Sequence, residues 1–479
     1  MSDQTGHRAE PDRRRAVAAE LTWHGGEFRA DFAVEYSERS GRIRRVLPAE
    51  DAAAAGVPVE RLRGRALLPG FVNAHSHAFQ RLIRGRTQWR PAADPAADFW
   101  TWRDAMYRAA LRLSPDEIYD AARFCFIEML RAGYTAVGEF HYLHRDPAGQ
   151  PYDDPSELAM RVVGAASDAG IRIRLLNAAY VTGGIGQPLA REQRRFATPN
   201  LELYLRDTLD LFERVAKHPL ASAGVAPHSL RAVPRDWLAP VHSLAYGYDA
   251  PVHIHAAEQP KEVAACLAAY GRRPVELLAE TGVLDEQLTV VHATHVNHRE
   301  VELLGLPGPI VCACPTTERD LGDGILPAEE LLAAGATIAL GSDSNTVIDP
   351  FDEMRAIEYH ERLRKMRRVV LATAPRGDRR EVAANLIEMA TRSGARALRL
   401  DAGELRTGWW ADFVAVDLGH RTLEGWTAAV LPALLALCAP ADVVTDVWTG
   451  GVRRVADREH AGEDEAAVAF RAAAASLGD

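Results

Sequence analysis

Two histidines one residue apart, His75 and His77, close an apolar run that begins at Leu68. In a strand, side chains two positions apart project from the same face, so this pair can converge on one ion from one strand end. Ligand-type residues recur at the ends of later apolar runs. They are His253, His255 and Glu258 in His253-Ile254-His255-Ala256-Ala257-Glu258-Gln259, His292 after Val290-Val291, and Asp343 after Leu340-Gly341-Ser342. A zinc-like ion takes three or four nitrogen and oxygen ligands and leaves a position for water. His75, His77, one of the pair His253/His255 and Asp343 would supply them, and water on such an ion has a pKa of roughly 7. Asp343 could also accept that water's proton. Glu258 could carry a proton to a leaving nitrogen, and His292 could polarise the substrate or stabilise a tetrahedral intermediate. His253 alternates with His255 and competes for the ligand position, although it reads better as a supporting or core histidine. His141 and His144 read as turn residues, and His295 and His298 as solvated.

These residues need elements to position them. Eight strand-like runs stand out: Ala66–Asn73, Ala136–His141, Ile171–Ala178, Ala221–Ala226, Pro251–His255, Leu288–His292, Ile310–Ala313 and Thr337–Leu340. Helical patterns separate many of them, such as Pro115–Ala132 and Pro260–Glu280. Ser114 precedes the first of these as an N-cap, with Glu117 three residues on. Repeated strand–helix alternation is the signature of a (β/α)8 barrel, whose active site lies at the C-terminal strand ends. The ligand-type residues fall at four such ends. Short strands with polar turns occupy both ends of the chain and could pair into one discontinuous β domain. The expected organisation is a disordered segment 1–15, a small β domain from 16–66 and 404–458, a barrel from 67–403, and an Ala-rich tail from 459–479 that forms a surface helix.

The 479 residues are 47% apolar, enough for a large core, and carry a net charge of -10. No basic field is available to offset phosphate charge, which argues against nucleic-acid and membrane-surface partners. No run reaches membrane-spanning length, and Met1–Arg15 lacks the apolar stretch of a secretory signal. The five cysteines, Cys125, Cys266, Cys312, Cys314 and Cys438, form no disulfide framework and suit a reducing cytoplasm. Cys312 and Cys314 sit in an apolar run and read as core.

The His75-x-His77 pair, His255-x-x-Glu258, His292 and Ser342-Asp343 resemble the amidohydrolase superfamily, in particular its deaminase branch. The resemblance covers nearly all of the chain except the N-terminal segment and the tail. It implies the barrel, the second domain built from both chain ends, and a homodimer. Members with two metals carry a lysine after the fourth strand. Here that position reads Ala226-Pro227-His228-Ser229-Leu230-Arg231, so one divalent ion, zinc above others, is implied. Five local sequences are further similar to the N-formimino-L-glutamate deiminase family of histidine degradation. They are His75–Arg81, Phe99–Arg103, Gly138–His144, His228–Arg231 and His253–Gln259. In that family the residues matching Gln80, Arg103, Tyr142 and Arg231 hold the substrate's two carboxylates, and the one matching His228 lies by the metal.

Two guanidinium forks suit a dicarboxylate. A neutral purine would instead call for stacking and amide contacts. Taken singly, Arg103 could be a surface helix residue and Arg231 a loop salt bridge. The expected activity is hydrolytic deimination of a small dicarboxylate amidine, with Glu258, His292 and Asp343 doing the chemistry. The alternatives are a deaminase of a purine, pterin or guanidino compound, and a non-catalytic scaffold relative.

Overall fold

The computed structural model describes residues 12–90, 98–372, 375–376 and 379–478. Eight parallel strands form one sheet in sequence order: Phe71–Ser76, Tyr134–His141, Arg172–Ala179, Ala221–Pro227, Val252–Ala256, Leu288–His292, Ile310–Ala313 and Thr337–Leu340. Most of their residues are buried, because helices cover the outside and side chains fill the inside. The first and eighth strands meet through backbone bonds. The His77 N–H donates to the Asp343 carbonyl and the Asp343 N–H to the His75 carbonyl, both at 2.9 Å. The sheet is therefore a closed (β/α)8 barrel.

The expected first strand, Ala66–Asn73, is cut in two. Val59–Pro69 belongs to a second sheet and Phe71–Ser76 to the barrel. No polar break marks this boundary, because both strands are buried where they meet. Gly70 makes the passage possible: a Cβ there would lie 2.1 Å from Thr135 Oγ1. The helix Pro115–Arg131 carries the expected reciprocal cap, with Glu117 N–H donating to Ser114 Oγ at 3.2 Å and Ser114 N–H to Glu117 Oε2 at 2.8 Å. The expected helix Pro260–Glu280 is two, Pro260–Tyr270 and Pro274–Glu280, separated at Gly271, whose φ is +64°.

The second sheet has nine strands drawn from both chain ends. Its N-terminal part runs from Arg14–His24 to Val59–Pro69, and its C-terminal part from Phe413–Asp417 to Glu459–His460. They join where Leu68 pairs antiparallel with Val414. Two further expected limits shift. Arg14 and Arg15 lie in the first strand, inside the segment expected to be disordered, while residues 1–11 lie outside the described residues. Glu459 and His460 pair with Ala456 and Val455, so the sheet outruns the expected start of the tail. The tail then forms the helix Glu463–Ser476, and Phe470 stacks on Phe124 of Pro115–Arg131 at 4.4 Å.

The sheet is fastened to the barrel by a buried fork. Arg172 donates to Asp412 from Nε at 2.8 Å and Nη2 at 3.0 Å. Cys125, Cys266, Cys312 and Cys314 are buried thiols and Cys438 is exposed. Among the described residues, no helix is long and apolar enough to cross a membrane.

Candidate metal centre and active site

His75, His77, His255 and Asp343 bring one ligand atom each within 4.8 Å of all the others. His75 Nε2 lies 3.2 Å from His77 Nε2, 3.1 Å from His255 Nε2 and 3.5 Å from Asp343 Oδ1, and His77 Nε2 lies 3.4 Å from that oxygen. Ligands about 2.1 Å from a tetrahedral ion stand roughly 3.4 Å from one another. Two of the three rings are turned by main-chain carbonyls. His77 Nδ1 donates to Phe140 O at 2.9 Å and His255 Nδ1 to His228 O at 2.8 Å, which leaves each Nε2 lone pair facing the centre. Burial holds all three imidazoles below their ordinary pKa, His75 at about 3, so they are neutral as ligands must be. Burial works against the charge of Asp343, but His75, His292 and His77 outweigh it and hold this carboxyl well below its usual range. The donor set and its spacing fit a divalent ion.

His253, the alternative ligand, faces elsewhere: its Nε2 donates to Ala397 O at 2.9 Å. His141 ends the second strand and is buried, rather than lying in a turn. His144 Nε2 donates to Ala178 O at 2.7 Å. His295, expected to be solvated, is half-buried and donates to Asp323 O at 2.7 Å, whereas His298 is exposed.

Asp343 is held in the left-handed region at φ +45°, and a network across the barrel seam sustains it. Ser342 N–H donates to Asn73 Oδ1 at 3.0 Å, Ser342 Oγ to Asn345 Oδ1 at 2.6 Å, and Asn345 Nδ2 to Ser76 Oγ at 3.1 Å. His292, at φ +72°, stands over the centre with Nε2 3.8 Å from both Glu258 Oε1 and Asp343 Oδ2. Its Nδ1 lies 3.3 Å from Glu318 Oε1, which also accepts the Cys314 N–H at 2.9 Å. Burial pulls the His292 pKa down, but Glu258, Glu318 and Asp343 outweigh burial and push it up to about 10. These carboxylates favour the form of His292 that can donate from Nε2.

A pocket opens from this centre, lined by residues of the cluster and of the loops around it. Gln80, Arg103, Tyr142, His228 and Arg231 all line it, as do Tyr107 and Tyr180. Gln80 Nε2 donates to the Tyr142 hydroxyl at 2.7 Å. Arg103 stacks between Trp100 and Tyr107, at 4.4 and 5.3 Å from the ring centres. Arg231 Nη2 donates to Glu258 Oε2 at 2.7 Å, so the salt-bridge reading of Arg231 is realised, and with an active-site carboxylate. Arg103 Nε and Arg231 Nη1 are buried without a hydrogen-bond partner. His228 packs between His255 and Tyr180, at 4.9 and 4.7 Å between ring centres.

Residues 66–454 match the Amidohydrolase family. The chain belongs to that family. It is 42% identical to the formimidoylglutamate deiminase of Pseudomonas aeruginosa over 426 residues, covering 88% of this chain and 90% of that protein. It is 31% identical to a 5-methylthioadenosine/S-adenosylhomocysteine deaminase of Halobacterium salinarum over 86% of each chain. Among solved structures, an amidohydrolase from Brucella melitensis superposes with a TM-score of 0.86 at 36% identity, covering 97% of this chain and 99% of that one. An adenosine deaminase from Xanthomonas campestris with bound zinc gives 0.78 at 27% identity, covering 96% and 97%.

Within this amidohydrolase, four residues at the site escaped the sequence reading. Glu318 follows the seventh strand and would have been found by applying the strand-end rule there too. Tyr180 follows the third strand directly, and Tyr107 lies one helical turn after Arg103, so both had a positional signal. Gln193, in the short helical turn Arg191–Phe196, had none.

Proposed function

We propose that this amidohydrolase converts N-formimino-L-glutamate and water to N-formyl-L-glutamate and ammonia, a step of histidine degradation. The observation that carries the reading is the pair of buried, unpaired donors on Arg103 and Arg231, two residues that line the same pocket as the metal-type cluster. Buried cationic donors without acceptors are costly, and a dicarboxylate would satisfy them. A heterocycle deaminase, the activity named for the relatives at 31% identity, would leave those donors unmet. A scaffold relative would have no use for the full set of ligands and carboxylates.

Nε2 of His75, His77 and His255 with Oδ1 of Asp343 would hold the ion, for which we propose zinc. When bound, the ion supplies a water activated for attack at neutral pH. The chain's own groups do the rest. Asp343 Oδ2 accepts the proton of the attacking water. Glu258 carries a proton to the departing nitrogen, and Arg231 steadies it through the bond to Oε2. His292 donates from Nε2 toward the charge that develops at the reacting carbon's substituents, with Glu318 fixing its ring. Gln80, Arg103, Tyr142 and Arg231 hold the carboxylates, and His228 forms the wall between them and His255. A homodimer located in the cytoplasm belongs to the same reading.

The test is ammonia release by zinc-loaded protein from N-formimino-L-glutamate, with N-formimino-L-aspartate, guanine and adenosine in parallel. Strong preference for the glutamate compound is expected. Turnover of a heterocycle alone would overturn the assignment of Arg103 and Arg231 while keeping the hydrolytic machinery.

A further inference from the structure

Tyr107 and Tyr180 come from different parts of the chain, the helix Phe99–Ala110 and the residue after the third barrel strand, and their hydroxyls meet at 3.1 Å. Both line the pocket beside Arg103 and Arg231. Gln193 locks them from behind. Its Nε2 lies 2.9 Å from Tyr180 Oη, 3.2 Å from Tyr107 Oη and 3.4 Å from Gly183 O, and its two hydrogens are shared among these three acceptors. Its Oε1 accepts the Ala190 N–H at 2.9 Å, which fixes which way the amide faces. Gln193 is 2% exposed, so this arrangement is buried and specific.

The protons can be counted. Two hydroxyls carry two protons. Toward Gln193 both oxygens act only as acceptors, and the bond between them consumes one proton. Neither hydroxyl has another acceptor among the described residues, so one O–H is left over. A hydroxyl on the pocket wall that has no protein acceptor is free to donate to an acceptor on a ligand. Burial and the neighbouring Tyr107 raise the pKa of Tyr180 well above its ordinary value, so the group stays a donor.

We propose that the Tyr107–Tyr180 pair, held by Gln193, is a specificity element that donates its spare hydroxyl proton to one carboxylate of the dicarboxylate substrate. This rests on the function proposed above and adds to Gln80, Arg103, Tyr142 and Arg231 a donor supplied by two residues acting as one. The pair sits on the pocket wall with the arginines and not among the metal ligands. Its loss weakens substrate holding and leaves the chemical step in place.

The experiment measures KM and kcat for N-formimino-L-glutamate and for two monocarboxylates, N-formimino-4-aminobutyrate and N-formimino-L-norvaline, which each lack a different carboxylate. Wild-type protein is compared with Tyr107→Phe/Tyr180→Phe. The double variant is expected to raise KM for the dicarboxylate by about 10- to 100-fold with kcat little changed. One monocarboxylate should shift equally, and the one lacking the contacted carboxylate should not shift. KM unchanged for all three, or raised alike for all three, overturns the proposal. KM reports only on folded molecules, so partial unfolding does not mimic the result. If the double variant does not fold, at least one of Tyr107→Phe and Tyr180→Phe must show the selective rise, and the proposal falls if neither does. Wild-type protein inactive on N-formimino-L-glutamate would sink the underlying function, whereas active wild type with an indifferent variant sinks this inference alone.

Discussion

The two ends of the pocket are built differently. At the metal end, side chains leave the strand ends of a closed barrel, and the backbone and the rings of His77 and His255 are fixed by buried bonds such as His77 to Phe140, His255 to His228 and Ser342 to Asn73. At the other end, Arg103, Tyr107, Tyr180 and Arg231 come from a helix and from loops, and several of their donors have no partner. Chemistry needs ligands held to a fraction of an ångström. Specificity needs donors that stay unsatisfied until the right substrate enters. A rigid frame serves the first and variable loops serve the second, which is how one barrel supports relatives with different substrates.

Substitutions at each end should separate these roles. The largest effect belongs to Asp343→Ala, which should abolish ammonia release and lower bound metal measured by elemental analysis. Substantial turnover in metal-loaded variant protein would remove Asp343 from its assigned role. Next comes Glu258→Gln, expected to lower kcat by about 10²- to 10⁴-fold with metal content unchanged. A drop in metal content instead would place Glu258 with the ligands. Arg231→Ala should chiefly raise KM for the dicarboxylate, by about 10- to 100-fold, since charged hydrogen bonds are worth about 1.5–3 kcal/mol. An unchanged KM would break the division between the two ends. The smallest effect on activity is expected far from both. Asp412→Ala strands the buried Arg172 and should cost about 3–5 kcal/mol of stability, read by denaturant unfolding, while activity per folded molecule stays the same.

The metal end was legible in the sequence because strand geometry leaves little choice. Once His75 and His77 alternate on one strand, register places both on one face, and strand ends of a barrel share one rim. Six of the eight strands fall within a residue of expectation at each end or coincide with it, and the second starts two residues early. The first strand was misplaced because two buried strands meet at Gly70 without a polar break. Between His253 and His255 the sequence left a choice that the bond from His253 to Ala397 decides. The residues proposed to hold the substrate were named chiefly by resemblance. Nothing in spacing shows that Tyr107, Tyr180 and Gln193 meet, since loops carry their contacts across distances that periodicity does not encode. Nor does spacing show that Arg231 grips Glu258 as well as facing the pocket.

The seam of the barrel passes through the metal centre. His75, His77 and Asp343 close the sheet with their backbones while offering ligand atoms with their side chains. An ion bound there acts as a clasp between segments that are neighbours in space and far apart along the chain. The full ligand set exists only after the last strand has docked on the first, so ion binding favours the finished hoop over partly folded forms. Removing the ion is therefore expected to loosen the seam, read as faster hydrogen exchange at the amides of His77 and Asp343.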